Sequence, residues 1–239
     1  MKFILVSLFA SAFLFPLFSE EVGVVSFVQG KILLTGPRAK AGGESVRINQ
    51  ILKKEDTIET KDGVCEIQLA TQATIRMEKF SKLSLVNLLD PKTKQTTVRA
   101  YSGKLFVKAH KQSSSGQNKL TVTSPSFVAG VRGTEFIVAL PDAGGVNSDL
   151  KLPDGVYVNE GTVAVQKDEK SKEILVKENE EIVVTGKELI KQMLADYAKE
   201  KMKIFESLDQ IKEENYKLIR DQALKNEETM NQMKGKQNE

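Results

Sequence analysis

Few of the side chains that do covalent or metal chemistry occur in this sequence. The 239 residues hold one cysteine, Cys65, one histidine, His110, and no tryptophan. One Cys and one His do not supply the ligands of a Cys/His zinc site within a single chain, and one Cys closes no internal disulfide. Cys65 sits in a short alternating run, 64–69, and reads as a small apolar residue facing a core. His110 precedes a polar stretch, which suits an exposed strand end better than a ligand or general base. The Gly144-Gly145 pair has neither the Lys-Ser/Thr nor the following helix of a phosphate-binding loop. No Gly-x-Ser-x-Gly or His-Glu-x-x-His motif occurs. Carboxylate pairs for glycoside hydrolysis are assembled by folding, so they stay open, but 6% aromatic residues are few for a sugar-stacking cleft. The chain therefore reads as non-enzymatic, with no catalytic, cofactor-binding or metal-binding residue assigned and no cofactor expected.

Charge points the same way. Thirty-five Lys and Arg face 32 Asp and Glu, a net +3 spread along the chain, which does not describe a nucleic-acid binder. Residues 1–19 have Lys2 followed by an apolar run, 3–18, and then polar sequence, the pattern of an export signal. Sixteen helical residues rise about 24 Å, short of the roughly 30 Å hydrocarbon core. Cleavage after Ser19 is the preferred reading, and an uncleaved N-terminal anchor is the alternative. The expected location is periplasmic or otherwise exported, with no stable span after cleavage.

The elements that would position any site change character once. Residues 20–186 form a series of short runs rich in Val, Ile, Thr, Leu and Phe, separated by Gly, Pro, Asp and Asn. The clearest are 24–28, 31–34, 57–59, 64–69, 73–77, 82–86, 95–100, 103–108, 119–123, 127–131, 135–140, 155–159, 162–167, 172–176 and 181–184. This pattern predicts a mainly β fold of many short strands, as a sandwich or a solenoid-like roll. Residues 37–51 read as a loop.

Residues 187–239 predict a long C-terminal helix and a frayed tail. From Lys187 to Met233 there is no Pro or Gly, and strong helix formers dominate. Ile190, Tyr197, Ile204, Ile211 and Leu218 recur every seven residues, with Leu194 and Leu208 at the companion position. Lys201, Asn215 and Gln222 interrupt this possible assembly seam. Such a helix would pack along the body, self-associate as a coiled coil, or project to a partner.

Residues 122–138, VTSPSFVAGVRGTEFIV, resemble the most characteristic stretch of the FecR-like periplasmic domain family, a Thr/Ser-Pro turn, a strand and Arg-Gly-Thr-x-Phe. The motif positions are Pro125, Arg132, Gly133, Thr134 and Phe136. Residues 156–165, with Glu160 and Gly161, are similar to the family's Glu-Gly-x-Val strand. The runs 56–60 and 65–69 and the segment 101–105 resemble its earlier strands. Thr71-Gln72 stands where the family commonly has Asp-Gly. Read physically, Pro125 fixes a turn and Gly133 permits a backbone closed to other residues. Arg132 offers donors to freed carbonyls or to a carboxylate such as Glu160, and Thr134 suits a cap on irregular backbone. The motif thus reads as a structural clasp.

The resemblance implies an exported bacterial domain with a binding or scaffolding role. FecR regulators carry a cytoplasmic sigma-factor-binding segment before a membrane helix. Only Met1 and Lys2 precede the apolar run here, which speaks against sigma-factor control by this chain itself. The leading expectation is an envelope protein that binds or scaffolds a protein partner through the β domain and the C-terminal helix, with homo-oligomerisation through the helix possible. The alternative is a periplasmic sensor element in envelope transcriptional signalling.

Overall fold

The structure, a computed structural model, describes residues 23–69, 73–87, 95–109, 119–131, 133–143, 151–168 and 170–205. The N-terminal part contributes β1 (Gly23–Gln29), β2 (Ile32–Thr35), β3 (Glu44–Ser45), β4 (Ile51–Leu52), β5 (Thr57–Thr60) and β6 (Val64–Leu69). The middle contributes β7 (Ala73–Met77), β8 (Lys82–Asn87), β9 (Gln95–Ser102), β10 (Lys104–Ala109), β11 (Lys119–Thr123) and β12 (Val128–Val131). Next come β13 (Glu135–Ala139), β14 (Gly155–Glu160), β15 (Thr162–Gln166), β16 (Ile174–Lys177), β17 (Glu180–Thr185) and β18 (Glu188–Met193), then α1 (Asp196–Met202). Every run named from the sequence falls on a strand, because alternating β-branched and polar residues give each strand one face for a core and one for another layer.

The strands make two nine-stranded sheets. The first runs β18-β17-β14-β13-β10-β7-β6-β1-β4 and the second β16-β15-β12-β11-β9-β8-β5-β2-β3. Their facing sides share one core, with Ile67, Ile75, Val107, Phe136 and Val158 from the first sheet and Leu83, Val98, Val122 and Val163 from the second. Burying one such side chain contributes about 1.5–3 kcal/mol. Strand order in both sheets follows chain order almost throughout. The layers are those of a sandwich, while the advance along it is that of a solenoid. The chain leaves the second sheet after β9, makes β10 in the first and returns as β11. It thereby reverses twice, and β9 and β11 run parallel, from Lys119↔Gln95 to Thr123↔Arg99.

The expected loop at 37–51 holds two short edge strands, β3 and the start of β4. A larger correction concerns the C-terminal end. The helix expected from Lys187 does not begin there, because residues 188–193 form β18, and α1 spans seven residues. Gly186, at φ +60°, makes a two-residue turn with Lys187 that pairs Thr185 with Glu188. The new strand then pairs with β17 along its length and packs Leu189 on the core. Ladder pairing and burial outweigh the helix propensity of Glu, Leu, Lys, Gln and Met. Leu208, Ile211 and Leu218 of the expected seam, and the export signal at 1–19, lie outside the described residues. Among the described residues no helix is long and apolar enough to cross a membrane.

Cys65 lies on the inner face of β6 and is fully buried. Burial pushes its thiol from 9.0 up to about 12, and the neighbouring Glu66 charge adds to the rise. The fold thus favours the neutral thiol. This contribution is complete below pH 9 and declines as pH climbs toward about 12, by up to about 1.4 kcal/mol per pH unit. Urea unfolding across that window should show the decline, and Cys65→Ala should flatten it. An unchanged slope in the variant would assign the decline to other groups, such as Tyr157, whose phenol is shifted in the same direction.

Candidate functional site

The signature residues occupy two joined places. Ser124 builds the turn between β11 and β12. Its Oγ accepts from the backbone N–H of Ser126 at 3.2 Å and of Phe127 at 3.0 Å. Its own N–H donates to the Phe127 carbonyl at 2.9 Å. Pro125 stands exposed at the corner, and the turn delivers Phe127 into the core. Beyond β12, Gly133 has φ +62° and Gly161 has φ +87°. A Cβ at Gly161 would lie 2.7 Å from Thr134 Cγ2 and 2.8 Å from the Gly133 carbonyl oxygen. The Gly-Thr and Glu-Gly pieces, 26 positions apart in sequence, therefore meet where β13 and β14 begin to pair, at Glu135↔Glu160.

A bulge between Glu135 and Phe136 turns Phe136 fully into the core. The Glu135 carboxylate holds Lys108 Nζ at 2.6 Å and accepts from Asn159 Nδ2 at 2.9 Å. Thr134 does not cap with its side chain. Its buried hydroxyl has no hydrogen-bond partner among the described residues, and its carbonyl instead accepts from the Ala109 N–H at 2.9 Å. Arg132, and with it the contact expected to Glu160, lies outside the described residues.

The outer face of the first sheet carries a straight cross-strand row. Register places Phe27, Glu66, Arg76, Phe106, Ile137, Tyr157, Glu181 and Gln192 side by side on successive strands. At one end Arg76 binds Glu66 at 2.7 Å and Glu78 at 2.8 Å, with its guanidinium 5.8 Å from the centre of the Phe27 ring. At the other end α1 lies on the row. Leu194, Ala198, Met202 and Phe205 pack on Phe106, Ile137, Ala139, Leu152 and Tyr157 as a second apolar cluster. The Phe106 and Phe205 rings meet edge to face, with centroids 5.7 Å apart.

This buried stripe is not the seven-residue seam read from the sequence. Leu194 is shared, Ile204 sits at the cluster margin, and Ile190 and Tyr197 are both 43% exposed. A period of 3.6 carries the stripe through 194, 198, 202 and 205, which a single helix on a sheet requires.

Polar groups fix the seat of the helix. Glu181 is fully buried and accepts from Gln192 Nε2 at 2.6 Å and from the Ala195 N–H, just before α1, at 3.1 Å. The Tyr157 hydroxyl donates to the Pro153 carbonyl at 2.6 Å. Burial raises the Tyr157 phenol above its ordinary range, with the charges of Tyr197 and Glu181 acting in the same direction. Below them, Lys104 pairs with Asp142 at 2.7 Å, both side chains almost wholly buried. Burial also raises the nearby Asp154, against the opposing charge of Lys104. Among the described residues no group of three or more His, Cys, Asp or Glu side chains is placed to hold a metal. The arrangement suits seating a helix on a sheet. Sequence reasoning passed over Glu181, whose signal was a carboxylate opening the apolar run 182–184.

Two substitutions separate the parts of this site. Glu181→Ala should free the start of α1 and lower stability by about 2–3 kcal/mol, whereas Glu181→Gln should recover much of it by keeping one acceptor. Hydrogen exchange should locate the loss at β18 and α1, and exchange rising first in the second sheet would contradict the assignment. Gly161→Ala should instead lower the melting temperature of the whole sandwich, because the added carbon strikes Gly133 backbone.

The FecR protein family model matches residues 56–164, from just before β5 into β15. Two crystal structures of a candidate anti-sigma factor from Parabacteroides distasonis ATCC 8503, at 1.65 and 2.50 Å resolution, are similar at TM-score 0.46 and 18% identity. The similarity covers 58% of this chain and 59% of that one. No curated protein matches the sequence. The matched residues include Gly133-Thr134 and Glu160-Gly161, the two pieces that carry the resemblance in the sequence.

Proposed function

We propose that this chain is an exported, non-enzymatic protein of the bacterial envelope that binds or scaffolds a protein partner without a cofactor. The FecR match over 56–164 carries the reading, since what the family resemblance implies is a binding domain. Two features of the structure support it. The charged groups on the outer face of the first sheet are engaged with one another, as Arg76, Lys104 and Lys108 are with their carboxylates. The C-terminal helix is seated on that same face through its own satellite cluster, so the β domain and the helix present one composite surface. Tyr197 and Ile190, half-exposed beside the seat, offer the apolar contact that protein interfaces favour.

The second reading, a periplasmic sensor element in envelope signalling, draws on the same family match. Cells answer both questions. A photocrosslinking residue at Ile190 or Tyr197 should capture a discrete envelope protein, and one at Tyr101 on the second sheet should not. Adducts of the chain with itself alone would replace a partner-binding role by self-assembly, which light scattering on the purified protein would measure. Loss of a stimulus-dependent transcriptional response on deletion would select the sensor reading.

A further inference from the structure

The opposite end of the sandwich carries exposed apolar side chains that the fold holds outward. Ile48 is 55% exposed and Ile51 50% exposed, while Val46 and Leu52 beside them are buried. Ile48 rides on a turn that is tied down on every side. The Gln50 N–H donates to the Arg47 carbonyl at 3.2 Å, and the Arg47 N–H donates to Gln50 Oε1 at 2.9 Å. Gln50 Nε2 donates to Glu44 at 3.1 Å. The Asn49 N–H donates to Val25 O at 2.8 Å, and the Val25 N–H to Gln50 O at 3.0 Å. A turn pinned to β1 in this way has no freedom to fold Ile48 inward.

The exposed charge along the segment that carries these isoleucines has one predominant sign. Within residues 37–56, Arg38, Lys40, Arg47 and Lys54 are exposed, and Glu55 is the exposed acid. Glu44 is engaged by Gln50, and Asp56 is buried and accepts from the Lys53 N–H at 2.8 Å. Glu20 and Glu21, the nearest acids upstream, lie outside the described residues. Position adds a third observation. Val24 pairs with Ile51 and Gly23 with Leu52, so β1 enters the fold beside this patch. Four residues separate Gly23 from the apolar run 3–18, so five Cα steps give a reach of at most about 18 Å. On the alternative reading of an uncleaved N-terminal anchor, the bilayer holding that run would lie within reach of Ile48 and Ile51.

We propose that this end of the sandwich docks on an anionic lipid surface, with Ile48 and Ile51 entering the headgroup layer and the flanking Arg and Lys side chains meeting lipid phosphates. Exposed apolar tips ringed by basic residues bind such surfaces by shallow insertion plus electrostatic attraction. The surface lies at the far end from the α1 seat and stands whether or not the partner-binding role does.

The test uses the full chain with Ile48→Cys carrying an environment-sensitive fluorophore. Cys65 is buried with its thiol pushed up to about 12, so the label goes to position 48. The same label on Leu175→Cys, at the other end of the second sheet, is the control. On phosphatidylglycerol-containing vesicles the position 48 probe should shift to the blue and be quenched by brominated acyl chains. Position 175 should stay silent, and pure phosphatidylcholine should give little response at either site. Arg47→Gln and Lys54→Gln should each weaken the response about fivefold, and added salt should weaken it further. A probe at 48 that remains in water on anionic vesicles overturns the proposal. So does an equal response on neutral vesicles, or an equal response at position 175.

Discussion

Side chains on a strand alternate between faces, so the pairing of β13 with β14 decides what the first sheet buries and what it shows. A slip of one residue would bring Phe136 and Val158 out of the shared core and turn Ile137 and Tyr157 into it. The close approach of Gly161 to Gly133 and Thr134 opposes that slip, because a side chain at position 161 would strike both, and its positive φ suits glycine. The bulge after Glu135 adds the single offset that the register needs. The outward row follows from this register, and the row makes the seat on which α1 rests.

The first sheet is consequently buried on both sides along part of its width. Val64, Cys65, Glu66 and Ile67 in β6, and Lys104 to Val107 in β10, are buried whichever way they point. A layer of this kind must satisfy its polar groups internally, and it does so with Arg76 between two carboxylates, Lys104 on Asp142 and Glu181 on the entrance to α1. Such pairs add little net stability over apolar residues, but losing one partner strands a charge, so they enforce one arrangement over others. The satellite cluster beneath α1 is separate from the main core. Its opening is therefore a local event that the two sheets survive.

Much of this was legible in the sequence. Alternation of the kind in residues 64–69, VCEIQL, located the strands of both sheets, and the Gly-Thr and Glu-Gly pieces were recognisable before their contact was known. Composition misled at β18, where Glu, Leu, Ile, Lys, Gln and Met look helical and the open edge of β17 decides otherwise. The seven-residue interval did not mark the stripe that α1 buries, because a single helix on a sheet buries residues at a period near 3.6. The burial of Glu181 and the Lys104–Asp142 pair depends on strands brought together from distant segments, which local pattern does not encode. The parallel pairing of β9 and β11 was hidden for the same reason, because it follows from where β10 lies.

The order of strands in the two sheets carries a consequence for how the protein forms. Because neighbours in space are near neighbours in the chain, each hairpin needs only the edge left by the one before it. Loop-closure cost stays small at every step, and assembly can advance from the β1 end while later residues are still being delivered. The growing rim offers unpaired backbone to each arriving strand through β18, and α1 covers the face behind it. Such a molecule is extensible: adding or removing a pair of hairpins would lengthen or shorten the sandwich without altering either end.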